Sequence, residues 1–254
     1  MTSNGPTSVK SDRVGAVRRL ANRKFREKVG RFLVEGPQSV REAVRHRPEA
    51  IDEVYLADDA GPVAREIGAA ARVAGVRVTE VPERVLLAMT ETVHPQGVAA
   101  VCRFLPFIEP TDPRLLVVLH DVRDPGNAGT ILRTADAAGA DAVYFTADSV
   151  DPYNGKCVRS SAGSLFHIPF AVCDFEKVPM AGLQTLATSG AGNRDLREVD
   201  LTAPTVWVFG NEAHGLPDLG LPLVSIPIFG SAESLNLAGA AAVCLYASAL
   251  AHNP

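Results

Sequence analysis

The sequence is short of the features that would assign it at once. No run of about 18 bulky apolar residues occurs, so no membrane-spanning helix is expected. The opening MTSNGPTSVK has no apolar signal core, which leads us to expect a cytoplasmic protein with no membrane partner. The four cysteines, Cys102, Cys157, Cys173 and Cys244, contain no CxxC pair, which excludes a thioredoxin-like motif and a zinc ribbon. A disulfide framework is foreign to a chain of this length, so four reduced thiols are expected. His214 has no partner at ligand spacing, and no metal is expected. G-x-G-x-x-G is also missing, which argues against a Rossmann-type oxidoreductase.

Neither sign of charge dominates overall, for the net charge is only −4. Its distribution is uneven. Residues 1–50 hold 12 Lys and Arg against 5 Asp and Glu, and the remainder holds 13 against 24. Such asymmetry predicts a basic face. Residues 1–12 read as a disordered tail rich in Gly, Pro and Ser, with Asp12 able to cap a helix over 13–28. Val14, Val17, Leu20, Ala21 and Phe25 would face inward. Arg13, Arg18, Arg19, Arg23, Lys24, Arg26 and Lys28 would face outward, with only Glu27 to balance them. A solvated face is the plain alternative, but the surplus favours contact with RNA phosphates.

Strand and helix patterns then alternate. RFLVEG, IDEVYLA, VRVTEV and GVAAVCRF read as strands, and PQSVREAVRH, GPVAREIGAAARVAG and PERVLLAM as helices. These make a compact α/β domain over 13–105. Three prolines stiffen a linker over 106–113. A second alternation fills 114–254. RLLVVLHDV is the near-continuous apolar strand that a buried parallel sheet requires. A helix (GNAGTILRTADAAGA), the strands DAVYFTA, VWVFGNE and LVSIPIF, and an Ala-rich helix follow. The order predicts a parallel sheet with helices on both sides.

Three segments carry the chemistry. In DVRDPGNAGTILRTADAAGA a strand turns into a helix whose first N–H groups offer an anion site, with Asn127 at its start and Arg133 six residues on. In VWVFGNEAHGLP a strand ends at Gly210, and Asn211 and Glu212 stand past its carboxyl end, where open parallel sheets bind ligands. In IPIFGSAESLNLAGAAAV a loop leads into the last helix, with Glu233 or Ser234 able to cap it and Asn236 in its first turn. Between the first and second segments, Lys156 and Arg159 stand among Ser160, Ser161 and Ser164, a set that suits a phosphate or sugar edge as well as it suits a plain polar loop.

Taken singly each segment is weak, but in this order the set resembles the TrmH branch of the SPOUT superfamily, the SpoU-type RNA ribose 2′-O-methyltransferases. Asn127 and Arg133 match that family's N-x5-R segment. Gly210, Asn211, Glu212 and Gly215 match its second segment, and Ile226, Pro227, Gly230, Glu233, Ser234, Leu235 and Asn236 its third. KFREKVGRFLVEGPQSVREAV and HPQGVAAVCRF resemble its substrate-binding domain, so nearly the whole chain is covered. Within the branch the arrangement is most similar to the thiostrepton-resistance (TsnR-like) 23S ribosomal RNA enzymes. Ala213 and Gly239 depart from the family's usual Gly and Ser without removing a reacting group.

The resemblance implies an α/β protein, with a C-terminal parallel-sheet domain carrying a deep trefoil knot and a smaller, ribosomal-protein-like N-terminal domain. It implies S-adenosyl-L-methionine as cofactor, held by Gly210, Asn211, Gly215, Ile226, Ile228 and Leu235. It implies a reaction site of Arg133, Asn127, Glu212, Ser234 and Asn236, and a homodimer through the knot region. Threading beside a second backbone explains why no charged side chain occurs from Ser234 to Ala251 and why Ala, Gly and Ser abound there. The substrate implied is RNA, with ribosomal RNA favoured. Transfer RNA, or a non-catalytic ribosome assembly role, are the alternatives. Because an arginine keeps its proton in proteins, Arg133 is expected to orient and stabilise charge, not to act as the base.

Overall fold

The computed structural model describes residues 5–93 and 95–253. By contacts the chain divides into two units, 1–106 with 153–167, and 107–152 with 168–254. Residues 153–167, which the sequence placed inside the 114–254 domain, therefore cluster with the first unit. Among the described residues no helix is long and apolar enough to cross a membrane.

The first unit begins with α1 (Asp12–Arg18) and α2 (Arg23–Val29). These were expected as one helix over 13–28, and the break has a local cause. Asn22 is extended, and its side chain caps the N–H of Phe25 at 3.2 Å, so a new helix starts there. Ser11, not Asp12, caps α1. Val14, Val17 and Leu20 are buried as expected, whereas Ala21 is exposed at the break. Of the expected tail, residues 1–4 lie outside the described residues, while the backbone oxygen of Thr7 accepts a bond from Arg84.

Next come β1 (Arg31–Glu35), α3 (Pro37–His46), β2 (Ile51–Ala57), α4 (Pro62–Val73), β3 (Val78–Val81), α5 (Glu83–Met89) and β4 (Val98–Arg103). The sheet order is β1-β4-β2-β3, with β2 and β3 parallel and the other pairs antiparallel. Pro37 and Pro62 sit at the first position of their helices, where a missing N–H costs nothing. The excursion 153–167 adds α7 (Gly155–Ser160) to this unit. Tyr153 stacks on Phe104 at 4.2 Å and lies 4.6 Å from Phe32, and its hydroxyl accepts from the N–H of Leu105. The buried Glu35 takes Arg159 at 3.2 Å.

The second unit holds β5 (Leu115–Leu119), α6 (Pro125–Ala137), β6 (Ala142–Thr146), β7 (Phe170–Cys173), β8 (Gln184–Thr188), β9 (Arg194–Asp195), β10 (Thr205–Phe209), β11 (Leu223–Ser225) and α8 (Leu237–His252). All strand pairs are parallel, in the order β7-β6-β5-β10-β8-β11-β9. Strands β5, β6 and β10 are buried throughout, as their near-continuous apolar runs require. The two faces differ from expectation. Helices α6 and α8 pack together on one face, where the indole N–H of Trp207 donates to Ser248 on α8 at 2.9 Å. The opposite face, with Leu116, Val118, Tyr144, Val206 and Val208, is covered among the described residues by turns, loops and a single 3-10 turn at Phe175–Lys177, without an α-helix, through Phe175, Val178, Met180, Leu216, Leu219 and Leu221. Short turns suffice there because one layer of apolar side chains covers the strands.

Small side chains let α8 approach α6 closely. Ala128, Gly129 and Ala135 are buried on α6, and Ala238, Ala241, Cys244 and Ser248 on α8. A second close approach lies at Gly192, where a Cβ would stand 2.7–2.9 Å from the backbone of Leu223, Val224 and Ser225. Only glycine permits two chain segments to pass at that separation.

Candidate active site

At the carboxyl ends of β8, β10 and β11 lies a cavity of about 450 Å³. It is lined by Thr188, Ser189 and Gly190 after β8, and by Gly210, Asn211, Glu212 and Gly215 after β10. Ile226, Ile228 and Glu233 to Leu237 after β11 complete it with Asn127, Val224 and Ala240. This is the edge where parallel sheets receive ligands.

Glu212 ties the loops together. One carboxylate oxygen accepts from the backbone N–H of Asp124 and from Asn127 Nδ2, both at 3.1 Å, and the other from the backbone N–H of Arg123 at 3.2 Å. Asn127 in turn accepts from Asn236 Nδ2 at 3.2 Å through its own Oδ1. Both asparagines are set by helix ends. The backbone N–H of Asn127 is capped by Asp124 at 2.8 Å. Asn236 is itself the cap of α8, accepting from the N–H of Ala238 at 2.9 Å. The helix thus starts three residues later than Ser234, because the Asn236 amide stops it there; Glu233 and Ser234 stay in the preceding loop and line the cavity.

Asn211 is a fastening. Its Nδ2 donates to the backbone oxygen of Asp121 at 2.9 Å, and its Oδ1 accepts from the N–H groups of Ala213 and His214. Asp121 has φ +53, a left-handed conformation that a non-glycine residue holds only when neighbours fix it. Gly210 is equally constrained, since a Cβ there would meet Leu216 and the backbone of Gly215 at 2.6–2.8 Å.

Asn127, Glu212, Ser234 and Asn236 therefore line one cavity, together with Gly210, Asn211, Gly215, Ile226, Ile228 and Leu235. Arg133 does not line it. Six residues along α6 advance about 9 Å and turn by about 240° from Asn127, and Arg133 is exposed there. The β8 loop, Thr188-Ser189-Gly190, was not read from the sequence. Its signal was a strand ending in the small residues TSGAG, weak because QTLAT is a poor apolar run.

The basic residues divide. Arg26 is buried, donating to the backbone oxygens of Leu20 at 2.7 Å and Ala21 at 2.9 Å, so it seals the helix break instead of facing outward. Arg13 pairs with Glu53 and bonds Tyr55, and Arg159 lies between Glu35 and Glu91. These three serve the fold. Arg18, Arg19, Arg23 and Lys24 are exposed, with Arg19 over the Phe25 ring at 4.6 Å and Arg23 paired to Glu27 at 2.8 Å. Lys156 is exposed on α7, while Ser161 and Ser164 are buried. The Ser160 and Ser161 hydroxyls bond back to helix carbonyls.

The cavity suits an adenosine-sized ligand. Its volume falls in the range of about 300–1,000 Å³ usual for small-molecule sites. Val224, Ile226, Ile228, Leu235 and Ala240 give it apolar walls, and Thr188, Ser189, Glu233 and Asn236 give it polar points.

Two family models match the chain. The SpoU rRNA Methylase family matches residues 114–246, and the family described as RNA 2′-O ribose methyltransferase substrate binding matches 33–107. The 23S rRNA (guanosine(2553)-2′-O)-methyltransferase RlmP of Bacillus subtilis is 34% identical over 251 residues, covering 94% of this chain and 96% of that protein. The AdoMet-bound rRNA methyltransferase from Sinorhizobium meliloti superposes with a TM-score of 0.83 at 34% identity, covering 98% of each chain. The SpoU methyltransferase AviRb from Streptomyces viridochromogenes, solved with AdoMet, gives 0.80 at 31% identity, covering 94% of this chain and 98% of that one.

Proposed function

The chain belongs to the SpoU rRNA methylase family, and from that premise we propose that it methylates a ribose 2′-hydroxyl of 23S ribosomal RNA in the cytoplasm. It is an RNA ribose 2′-O-methyltransferase, and S-adenosyl-L-methionine is its methyl donor. The observation that carries the site is the convergence of Glu212, Asn127 and Asn236, from three remote segments, on one cavity.

Bound in the cavity, S-adenosyl-L-methionine supplies an electrophilic methyl group on a sulfonium. Ile226, Ile228, Leu235 and the backbone at Gly210 and Gly215 hold its adenosine part. Glu212 fixes the Asn127 amide and the start of α6, and Asn127 orients Asn236. Fixed amides are the alignment an in-line displacement needs. Ser234 and Asn236 hold the ribose-phosphate region. On the motif resemblance, and from an exposed position on α6 outside the cavity lining, Arg133 is the group we assign to orient the 2′-hydroxyl of the incoming RNA and to stabilise the charge that develops on its oxygen. Arg18, Arg19, Arg23, Lys24 and Lys156 meet RNA phosphates, which anchor without reading sequence. The 2′-hydroxyl itself is what separates RNA from DNA.

Two further parts of the reading rest on α8. The small-residue contact with α6 and the close passage at Gly192 support a C-terminal trefoil knot. An exposed apolar row on α8 supports a homodimer.

Labelled S-adenosyl-L-methionine incubated with separated RNA classes tests the assignment. Alkali-resistant dinucleotides from 23S RNA are expected; label in transfer RNA alone refutes the substrate, and no label in any RNA refutes the activity. Arg133→Ala should lower product formation by roughly 10²-fold or more, the scale of a lost charge-stabilising donor, with cofactor affinity retained. Wild-type turnover removes Arg133 from its role.

A further inference from the structure

Outside the methyl-transfer site, three side chains of the first unit converge on one point. Glu42 and His46 stand one helical turn apart on α3, on the same face. The turn after α7 delivers His167 to them. That turn is pressed close: at Gly163, which has φ +100, a Cβ would lie 2.5 Å from Glu42 Cγ. His167 Nε2 is 3.2 Å and His46 Nε2 3.3 Å from the same oxygen, Glu42 Oε2. The two imidazole centroids are 4.2 Å apart, and the three donor atoms lie within 4.8 Å of one another.

Two of the three separations, those to Glu42 Oε2, are those of a ligand set. Zinc bonds to imidazole nitrogen and carboxylate oxygen at about 2.0–2.1 Å, so tetrahedral ligand atoms stand about 3.3–3.4 Å apart. The two N···O distances agree with that edge. The carboxylate is also divided in the way a ligating one is. Its other oxygen, Oε1, is approached by Gln38 Nε2 and Arg45 Nη1, each at 3.5 Å, while Oε2 faces the imidazoles. Two imidazoles exclude magnesium and calcium as preferred ions, since those take oxygen ligands. The His46 side chain is 49% exposed, so the remaining coordination positions reach solvent.

We propose that Glu42, His46 and His167 bind a divalent zinc-type cation that clips the 161–167 turn to α3. The site is independent of methyl transfer and would act on the stability of the first unit. Sequence spacing does not reveal it, because His167 lies 121 residues beyond His46 and only the fold brings them together.

The test uses the full, untagged chain, stripped with a chelator and titrated with Zn²⁺ by calorimetry, and with Co²⁺ followed by visible absorption. One ion per chain is expected, with an intense tetrahedral cobalt spectrum and a melting temperature that rises with free Zn²⁺. Changing an outer partner of a metal ligand costs 10–100-fold in affinity, so His46→Gln and His167→Gln should each weaken binding by at least about 100-fold. His46 is half exposed, so His46→Gln keeps the comparison within a folded protein. Failure of the wild type to take up zinc, or equal affinity in wild type and His46→Gln, overturns the proposal and leaves two imidazoles hydrogen-bonded to a glutamate.

Discussion

Glu212 has no freedom to be a glutamine. Its two oxygens accept three N–H groups, from Arg123, Asp124 and Asn127. An amide in its place keeps one acceptor and turns a second donor toward those donors. A hydrogen bond to a charged acceptor contributes about 1.5–3 kcal/mol, and the exposure of Glu212 sets the effect at the low end. Glu212→Gln should therefore lower kcat/KM roughly tenfold. Asn127→Asp should do worse than Asn127→Ala, because it places a second carboxylate where Asn127 Nδ2 now stands 3.1 Å from Glu212. Steady-state kinetics with circular dichroism as a folding control decide both. If Asn127→Asp matched the wild type, the carboxylate–amide contact would have no part in catalysis.

At the level of elements, Asn236 does two jobs that one substitution separates. As the cap of α8 its oxygen satisfies the N–H of Ala238, and as a donor it holds Asn127. Asp caps a helix as well as Asn does, whereas Ala in place of either costs about 0.5–2 kcal/mol. Asn236→Asp should leave the melting temperature near that of the wild type and still lose the bond to Asn127 Oδ1, so methyl transfer falls about tenfold, the size of a hydrogen bond worth about 1.4 kcal/mol. Asn236→Ala should lose both stability and activity. Thermal melts and initial rates on the two variants separate the effects. Equal loss of stability in both would mean that the contact with Asn127, not the cap, supports the helix.

For the molecule as a whole, what was legible followed from whether a residue's partners lie near it in sequence. The alternation from β1 to β4, and the strands β5, β6 and β10, were legible because burial writes itself as apolar runs. The edge strands β7 and β9 and the interior strand β8 were not, since Val172 is exposed, β8 carries Gln and Thr, and β9 has two residues. Ten of the seventeen residues that line the cavity, Asn127 and Glu212 among them, came from motif order, but the β8 loop and the inward turns of Arg13, Arg26 and Arg159 depend on contacts that no local pattern encodes. The excursion 153–167 is the extreme case, for Glu35 and Glu42 stand more than a hundred residues from Arg159 and His167.

The homodimer proposed above would be joined through helix α8. One side of it is buried against α6 and β10. The other presents Gly239, Val243, Tyr246 and Leu250, spaced four, three and four residues apart, with Val243, Tyr246 and Leu250 exposed to 41%, 46% and 70%. Such spacing puts them in one row along the helix. No charge from Ser234 to Ala251 interrupts the row or adds solvation to it. A contiguous apolar row marks a protein contact, and a helix that meets its own copy across a two-fold axis covers the row on both chains at once. Glutamates at Tyr246 and Leu250 would face each other across that axis. Tyr246→Glu with Leu250→Glu should convert a dimer to a monomer in sedimentation at micromolar concentration, with far-ultraviolet circular dichroism unchanged because neither side chain is in the core. A wild type that sediments as a monomer, or a double variant that stays dimeric, would show that this face of α8 does not join two copies.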